Sequence, residues 1–514
     1  MTVIDLFTDT VIRNPNKTAL IGKDRSLSYS ELLAGTRSLA SGLIGRGMRN
    51  GERAGIVMRN SVSFVEILYA LHMCGAVAVP FNFRISEREL ISQLEYSGCK
   101  TVFFDASSAG IVRSVKSSCS GVKNWISVGC DDADPNGELS MESLRGSSDV
   151  ELQYPSPEDP AIMLFTGGTT GKSKLAVHTH MALYNWVVLK FQTPRRFSED
   201  DIFLMSLPLC HSAGMGMLHD LLSSGATAVV TDKFDAASLL KSVEQYRITQ
   251  LFMIPPSLCG LCVREQRRLN ADISSVRIVS LAGGGCSRGL IEEIFELFPD
   301  AGICMVYSHT ERAVFTMLLL THELYLRKPW LAESVGKPYL GTHIKLIGLD
   351  GTPASVGEAG TLWARSQAQM SCYLNREESY EDGWLDTGDI LRIDEEGYYY
   401  FLSRAKDCIK TGGENVFASE LEAVIRRFPG VSECAVFGVP DEVYTEAVAA
   451  AIITDYPVSA EQIIAHCKSH LASFKKPRKI WFVDSMPRTG IGKVDKAALR
   501  ALLSGREPDF QIQT

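Results

Sequence analysis

Residues 166–174 read TGGTTGKSK, which places three glycines, three threonines and two lysines in nine positions. Those residue types suit a polyphosphate. Glycine lets the backbone approach an anion in conformations that a Cβ would forbid, hydroxyl and amide groups donate to oxyanions, and lysine supplies a mobile positive charge. The stretch is not a Walker A loop. Residues 167–173 are one short of the GxxxxGK[ST] spacing, and residues 175–180, LAVHTH, read as a strand where that loop needs a helix. A Gly/Thr surface turn is the competing reading of these nine residues taken alone.

Four further stretches carry chemistry. YSHTE at residues 307–311 follows an apolar run and offers an aromatic face, two hydroxyls and a carboxylate. GWLDTGD at 383–389 sets Asp389 behind a tight turn, where its carboxylate could accept both hydroxyls of a ribose. SRAKDCIKTGGENV at 403–416 has basic residues ahead of Gly412 and Gly413, and PRTGIGKVDK at 487–496 places Lys493 behind Gly490 and Gly492. Each alone fits an ordinary turn or solvated loop. The order and co-occurrence of all five argue against that reading.

The elements that must position them alternate. Strand-like apolar runs (RAGIVM, AVAVPF, TVFF, then TAVVT, QLFMIP, VRIVSLAGG, ICMVYS) are separated by helical patterns, which implies parallel sheets covered on both faces. Two such blocks are expected, one before about Val150 and one after it, joined by a polar, acidic stretch at 131–160. Beyond Gly336, HIKLIG, GTLWAR and YYYFLS lie between Gly-rich turns and predict a small antiparallel β-barrel. From about Asp407, helices and strands mix in a small α+β domain. The expected fold class is therefore α/β, with two mostly parallel sheets and a small barrel in a large N-terminal part, followed by a smaller α+β domain.

At 514 residues the chain is too long for one core. Hydrophobic residues make up 45%, charged residues 22%, and the formal charge is -8, which argues against a nucleic-acid partner but permits an anion in a local basic pocket. Thirteen cysteines without framework spacing point to reduced thiols and a cytoplasmic location. Cys259 and Cys262 form a lone CxxC in an apolar helical stretch, which is core packing rather than a metal site. The first residues, MTVIDLFTDTVIRN, form an amphipathic helix and not a signal peptide. The most apolar window, 62–81, carries Glu66 and His72 and is broken by Pro80, so no transmembrane segment is expected.

Taken together, the five motifs identify the chain as similar to the adenylate-forming superfamily of acyl-CoA synthetases, firefly-luciferase-like enzymes and peptide-synthetase adenylation domains. The resemblance extends over essentially the whole length. It implies that Thr166, Gly168, Thr169, Thr170, Gly171 and Lys174 hold the ATP phosphates. It places Tyr307 near adenine, Thr310 at the α-phosphate, Glu311 on Mg²⁺, and Asp389 and Arg404 on the ribose. Lys493 bridges carboxylate and α-phosphate, and Lys406 marks a hinge between residues 1–405 and a mobile domain, 406–514. Such a lysine, about 4 Å from both anions, contributes on the order of 4 kcal/mol per contact at an effective dielectric near 20. Gly412 and Gly413 would line a pantetheine tunnel in the second half-reaction. Phe474 and Lys475, in FKKPRK, resemble the coenzyme A nucleotide site of aryl-CoA ligases; a solvated basic loop is the alternative. By position His211, Ser212, Ala213, Met253, Gly283, Gly284 and Met305 should line the acyl pocket, with His211 the one histidine at the chemistry and His178, His180 and His219 structural.

Departures from the family pattern are Gly167, Ser173, Leu175, Ser308 and Ile491, none of which removes an implied ligand. The implied activity joins a carboxylic acid to coenzyme A through an acyl-adenylate, releasing AMP and pyrophosphate. An aromatic, alicyclic or medium-chain acid is expected, because nothing in the pocket pairs a buried ammonium. Loading of a carrier protein is the alternative to free coenzyme A, and a homodimer is left open.

Overall fold

Helices begin where the sequence supplies caps. Thr2 with Asp5, Ser28 with Glu31, Ser86 with Glu89, and Ser459 with Gln462 form reciprocal capping boxes on helices Val3–Arg13, Tyr29–Gly45, Glu87–Ser97 and Ala460–His470. The computed structural model describes residues 1–130, 137–146, 152, 154–166, 174–232, 235–254, 256, 258–283, 286, 288–348, 350–376, 380–488 and 494–512. All thirteen cysteines are unpaired. Cys259 and Cys262 are buried in the helix Leu258–Leu269, and Asp235 caps the helix Ala236–Tyr246, accepting from the Ser238 amide at 2.8 Å.

Two large sheets carry the N-terminal part. One has nine strands, ordered Lys337–Pro338, Arg312–Leu320, Gly302–His309, Ile278–Leu281, Gln250–Met253, Ile202–Met205, Thr227–Val230, Thr18–Ile21, Ser26–Ser28. The other has eight, ordered Cys372–Tyr373, Leu175–Thr179, Pro160–Phe165, Val77–Pro80, Arg53–Val57, Thr101–Asp105, Asn124–Val128, Leu139–Ser140. Their inner pairs are parallel. The expected division at about Val150 does not hold. Thr18–Ile21 crosses into the later sheet, and the hairpin of Pro160–Phe165 with Leu175–Thr179 completes the earlier one. Pattern identified the strands but could not say which sheet each joins, because partner choice depends on packing between elements distant in sequence.

One apolar cluster fills the space between the two sheets and includes Ile56, Phe103 and Leu164 from one with Phe252, Cys304 and Val306 from the other. Helices Val62–Met73, His180–Val188 and Ser212–Ser224 run through it. The first of these buries every residue except Ser63, which is why its sequence reads as apolar on all sides rather than on one stripe. Each helix brings one fully buried histidine to a common point. The His72 ring centroid lies 5.3 Å from that of His180 and 5.5 Å from that of His219. Tyr69 Oη shares a hydrogen bond with His219 Nδ1 at 3.0 Å, while neither ring nitrogen of His72 or His180 has a partner among the described residues. Burial pushes the His180 and His219 pKa values down to about 4 and about 3, and lowers that of His72.

The strands beyond Gly336 form a four-stranded antiparallel sheet, Thr342–Gly348, Ala359–Ser366, Leu385–Ile393 and Tyr399–Arg404, in that order. The observed pairing is an open ladder, so the expected barrel closure is not seen. The last block builds a six-stranded sheet centred on Thr445–Thr454, with separate apolar clusters on its two faces. Among the described residues no helix is long and apolar enough to cross a membrane.

Candidate active site

Thr166 and Lys174 close the hairpin between Pro160–Phe165 and Leu175–Thr179, the Thr166 amide donating to the Lys174 carbonyl at 2.9 Å. The intervening Gly167, Gly168, Thr169, Thr170, Gly171 and Ser173 lie outside the described residues, as do Gly284, Ile491 and Lys493. A short strand far downstream, Cys372–Tyr373, adds to the open edge of Leu175–Thr179. Tyr373 thereby reaches both sides of the site. Its ring lies under the Lys174 ammonium, 4.5 Å from centroid to Nζ, and its hydroxyl donates to Glu311 Oε1. A second tie comes from His178, whose Nε2 donates to the Thr310 carbonyl at 2.9 Å. Burial pushes the His178 pKa down to about 4, so the ring is neutral at pH 7. The hairpin that carries the glycine-rich stretch is thus fixed to YSHTE at Thr310 and Glu311.

YSHTE itself ends the strand Gly302–His309, which pairs with Arg312–Leu320 across a two-residue turn. Tyr307 and His309 are two apart on a strand and so share a face. Both reach Asp389 on the four-stranded sheet: Tyr307 Oη lies 2.8 Å from its Oδ2, and His309 Nε2 also 2.8 Å from the same oxygen. Arg404, paired with Asp389 across the ladder, holds its Nε 3.6 Å from Oδ1. Asp389 is only 3% exposed. Burial alone would raise its pKa, but the His309 hydrogen bond and charge, Arg404 and Tyr307 together outweigh it and hold the carboxyl below its usual range. The same burial, with the neighbouring carboxylate, raises Tyr307 well above an ordinary phenol. A buried carboxylate held ionised is suited to accept hydrogen bonds from the hydroxyls of a bound sugar.

Immediately after Glu311, Arg312 is 1% exposed, over the rings of Phe315 and Tyr339. Its Nε and Nη2 have no hydrogen-bond partner among the described residues, and burial pushes its pKa down to about 9. Glu311 is a candidate metal ligand. Among the described residues no group of three or more His, Cys, Asp or Glu could hold a metal ion. A single carboxylate fits Mg²⁺, which keeps several waters and takes its remaining ligands from phosphate oxygens.

His211 caps the helix Ser212–Ser224, its Nδ1 accepting from the Ala213 amide at 3.2 Å. Ser212 is buried, Ala213 half-buried, and Gly283 follows the strand Ile278–Leu281 with φ +81°. Met253 and Met305 lie in a different apolar cluster from that helix. Both pack with Leu251, Leu281 and Ile303 on the far face of the nine-stranded sheet, while Phe252, Ala282, Cys304 and Val306 share a cluster with Met215 of that helix. Strand ends are legible in sequence; the face is decided by a period-two alternation that a positional match ignores.

In the last block, Lys406 lies exposed in the turn Ala405–Asp407. Burial of part of its side chain lowers its pKa, opposed by Asp407. Gly412 and Gly413 form the turn of the hairpin Ile409–Thr411 with Glu414–Val416, at φ +59° and +85°, which only glycine adopts without strain. Gly412 lies against Tyr444, whose carbonyl accepts from its amide at 2.9 Å, and Arg478 stacks on the Tyr444 ring at 3.7 Å. Phe474 is exposed. Lys475 is not a free cation, because its Nζ pairs with Glu420 at 2.7 Å. Three residues of these sites escaped sequence reasoning. His309 was detectable from its spacing to Tyr307. Tyr373 is 62 residues from Glu311 and Tyr444 lies in no motif, so neither carried a signal.

The model of the AMP-binding enzyme family matches residues 7–374, and that of the AMP-binding enzyme C-terminal domain matches residues 420–493. The chain belongs to the AMP-binding enzyme family. A feruloyl-CoA synthase of Amycolatopsis sp is 30% identical over 500 residues, covering 95% of this chain and 96% of that protein. A long-chain-fatty-acid–CoA ligase of Mycobacterium tuberculosis is 31% identical, covering 94% and 95%. Among solved structures, o-succinylbenzoate CoA synthetase from Bacillus subtilis, in complex with an acyl-adenylate intermediate, superposes with a TM-score of 0.83 at 27% identity over 99% of both chains. A fatty acyl CoA synthetase of Mycobacterium tuberculosis gives 0.76 at 29%, also over 99% of both. This AMP-binding enzyme is an adenylate-forming acid–thiol ligase that uses ATP and coenzyme A.

Proposed function

We propose that the protein activates an aromatic, alicyclic or medium-chain carboxylic acid as its acyl-adenylate and transfers the acyl group to free coenzyme A. The observation that carries this reading is the convergence of three separate segments. Lys174 and Glu311 meet at Tyr373, His178 of the same hairpin is bonded to Thr310, and Tyr307 and Arg404 meet on the Asp389 carboxylate. In this reading the acid's carboxylate oxygen attacks the α-phosphorus of ATP and pyrophosphate leaves; a thiolate then attacks the adenylate carbonyl, the acyl–phosphate bond breaks and AMP leaves. Lys174 and the neighbouring loop hold the phosphates, Thr310 the α-phosphate, and Asp389 with Arg404 the ribose. Lys493 neutralises charge where the two anions meet. Glu311 would hold Mg²⁺, which supplies charge neutralisation on the phosphates. No nucleophilic side chain or general base is needed, since orientation and electrostatics carry the first step.

The apolar surroundings of the helix behind His211 support an acid without an ammonium group. Ala282, Cys304, Val306 and Met215 share one cluster, and the nearby Asp220 is already paired with Lys190. Relatives whose names specify ferulate, fatty acids and 2-succinylbenzoate agree with an apolar or aromatic acyl group. The small Gly412–Gly413 turn beside Tyr444 and Arg478 supports a passage for a pantetheine arm, although Lys475 is occupied. A hinge at Lys406 would let Lys493 and this turn alternate at the site, and the two matched family regions fall on either side of it.

The deciding experiment incubates purified protein with Mg-ATP, coenzyme A and a panel of aromatic, alicyclic and medium-chain acids. Release of AMP, pyrophosphate and a soluble acyl-CoA is expected for a subset of the panel. Acid-dependent pyrophosphate exchange without soluble acyl-CoA would replace free coenzyme A by a carrier protein. No exchange with any acid would overturn the substrate class.

A further inference from the structure

Asp389 has two carboxylate oxygens in different situations. Oδ2 accepts from Tyr307 Oη at 2.8 Å and His309 Nε2 at 2.8 Å, and the two donors lie 3.2 Å from each other. Among the described residues Oδ1 pairs with Arg404, whose Nε is 3.6 Å away, too far for a good hydrogen bond. The His309 side chain is 15% exposed and its ring meets both Phe315 and Tyr307 edge-on, at 5.2 Å and 5.3 Å, so it is held from its flanks. Behind the carboxylate, the Asp389 amide donates to Thr387 Oγ1 at 3.2 Å. With the backbone fixed and Oδ2 saturated, the torsion of the carboxylate has one setting, in which Oδ1 is the oxygen left to accept.

We propose that His309 is a positioning residue for the nucleotide: by occupying Oδ2 it presents Oδ1 of Asp389 to a ribose hydroxyl. This rests on the reading that Asp389 binds the ribose. A histidine that only satisfied a buried carboxylate would affect folding, or affinity for every nucleotide equally. A positioning residue must also affect how well the protein tells a ribose from a deoxyribose. Without His309, Tyr307 alone cannot stop the carboxylate from turning, and the hydroxyl-specific contact weakens.

The test is calorimetric titration of the full chain with AMP, 2′-deoxy-AMP and 3′-deoxy-AMP, which needs no knowledge of the acid. The wild type should bind AMP about tenfold more tightly than at least one deoxy analogue, as loss of one hydrogen bond to a charged group implies. His309→Leu should reduce that preference to less than about threefold, and His309→Gln, which keeps an N–H donor within reach of Oδ2, should restore most of it. Asp389→Asn provides the separating control. If Asp389→Asn keeps the wild-type preference, the ribose reading itself falls. If Asp389→Asn loses the preference while His309→Leu keeps it, the ribose reading stands and the role of His309 is refuted. If His309→Leu does not fold, His309→Phe, which keeps a ring between Phe315 and Tyr307 but no donor, decides: a collapsed preference supports the proposal and a preserved one overturns it.

Discussion

Acidification should destabilise the N-terminal part steeply, because its core holds neutral histidines. His178 and His180 have pKa values pushed down to about 4 by burial, and His219 to about 3, against about 6.5 in an unfolded chain. A base whose folded value is depressed binds its proton only after unfolding. Its stability is therefore fully present above pH 6.5 and is lost as pH falls through that value towards the folded one. Between pH 7 and pH 5 each of the three costs about 2 kcal/mol by this linkage, or about 6 kcal/mol together. Asp220 acts in the opposite sense. Burial pushes its pKa up to about 6, so protonation in the folded state returns about 1 kcal/mol over the same interval. The net loss is on the order of 4 to 5 kcal/mol, comparable to the whole stability of many domains, and His72 adds to it. Urea unfolding at pH 7, 6 and 5 at constant ionic strength, followed by tryptophan fluorescence, measures it directly. His72→Leu should raise stability at pH 7 and reduce the pH slope, since neither ring nitrogen of His72 has a partner among the described residues. Midpoints that coincide at pH 7 and pH 5, or a loss below about 1 kcal/mol, would refute the claim that these rings are buried and neutral.

Lys493→Ala should reduce acid-dependent pyrophosphate exchange by roughly two to three orders of magnitude. It should spare thioester formation from supplied acyl-adenylate, and equal loss of both would contradict the two-state reading of the hinge. Arg312→Met should stabilise the protein by about 2 to 4 kcal/mol in thermal or urea unfolding, because a buried guanidinium whose Nε and Nη2 have no hydrogen-bond partner among the described residues is replaced by an apolar chain of similar length; a destabilised variant would mean that Arg312 has an anionic partner. Gly336→Ala should cost about 3 kcal/mol or more, since an added Cβ would lie 2.2 Å from the Met317 carbonyl at a position with φ +92°. A melting temperature within a degree of wild type would show that this contact relaxes.

Chain order alone carried a good part of the protein. The five motifs, the alternating strands and the burial of His178, His180 and His219 all follow from local rules: which periods bury a face and which residue types hold anions. Even His309 was accessible, two residues from Tyr307 on one strand. What the tertiary structure decided depends on contacts between distant segments. The glycine-rich hairpin joins the earlier sheet while Thr18–Ile21 joins the later one, and no local pattern encodes that exchange. Tyr373 becomes the bridge between Lys174 and Glu311 only because Cys372–Tyr373 pairs with Leu175–Thr179. Met253 and Met305 turn away from the helix behind His211 because side chains alternate along their strands, and Lys475 is bound to Glu420 because two elements of the last domain happen to meet. A sequence states which groups can do chemistry; pairing, face and partner, which fix what each group touches, are set by the packing of the whole chain.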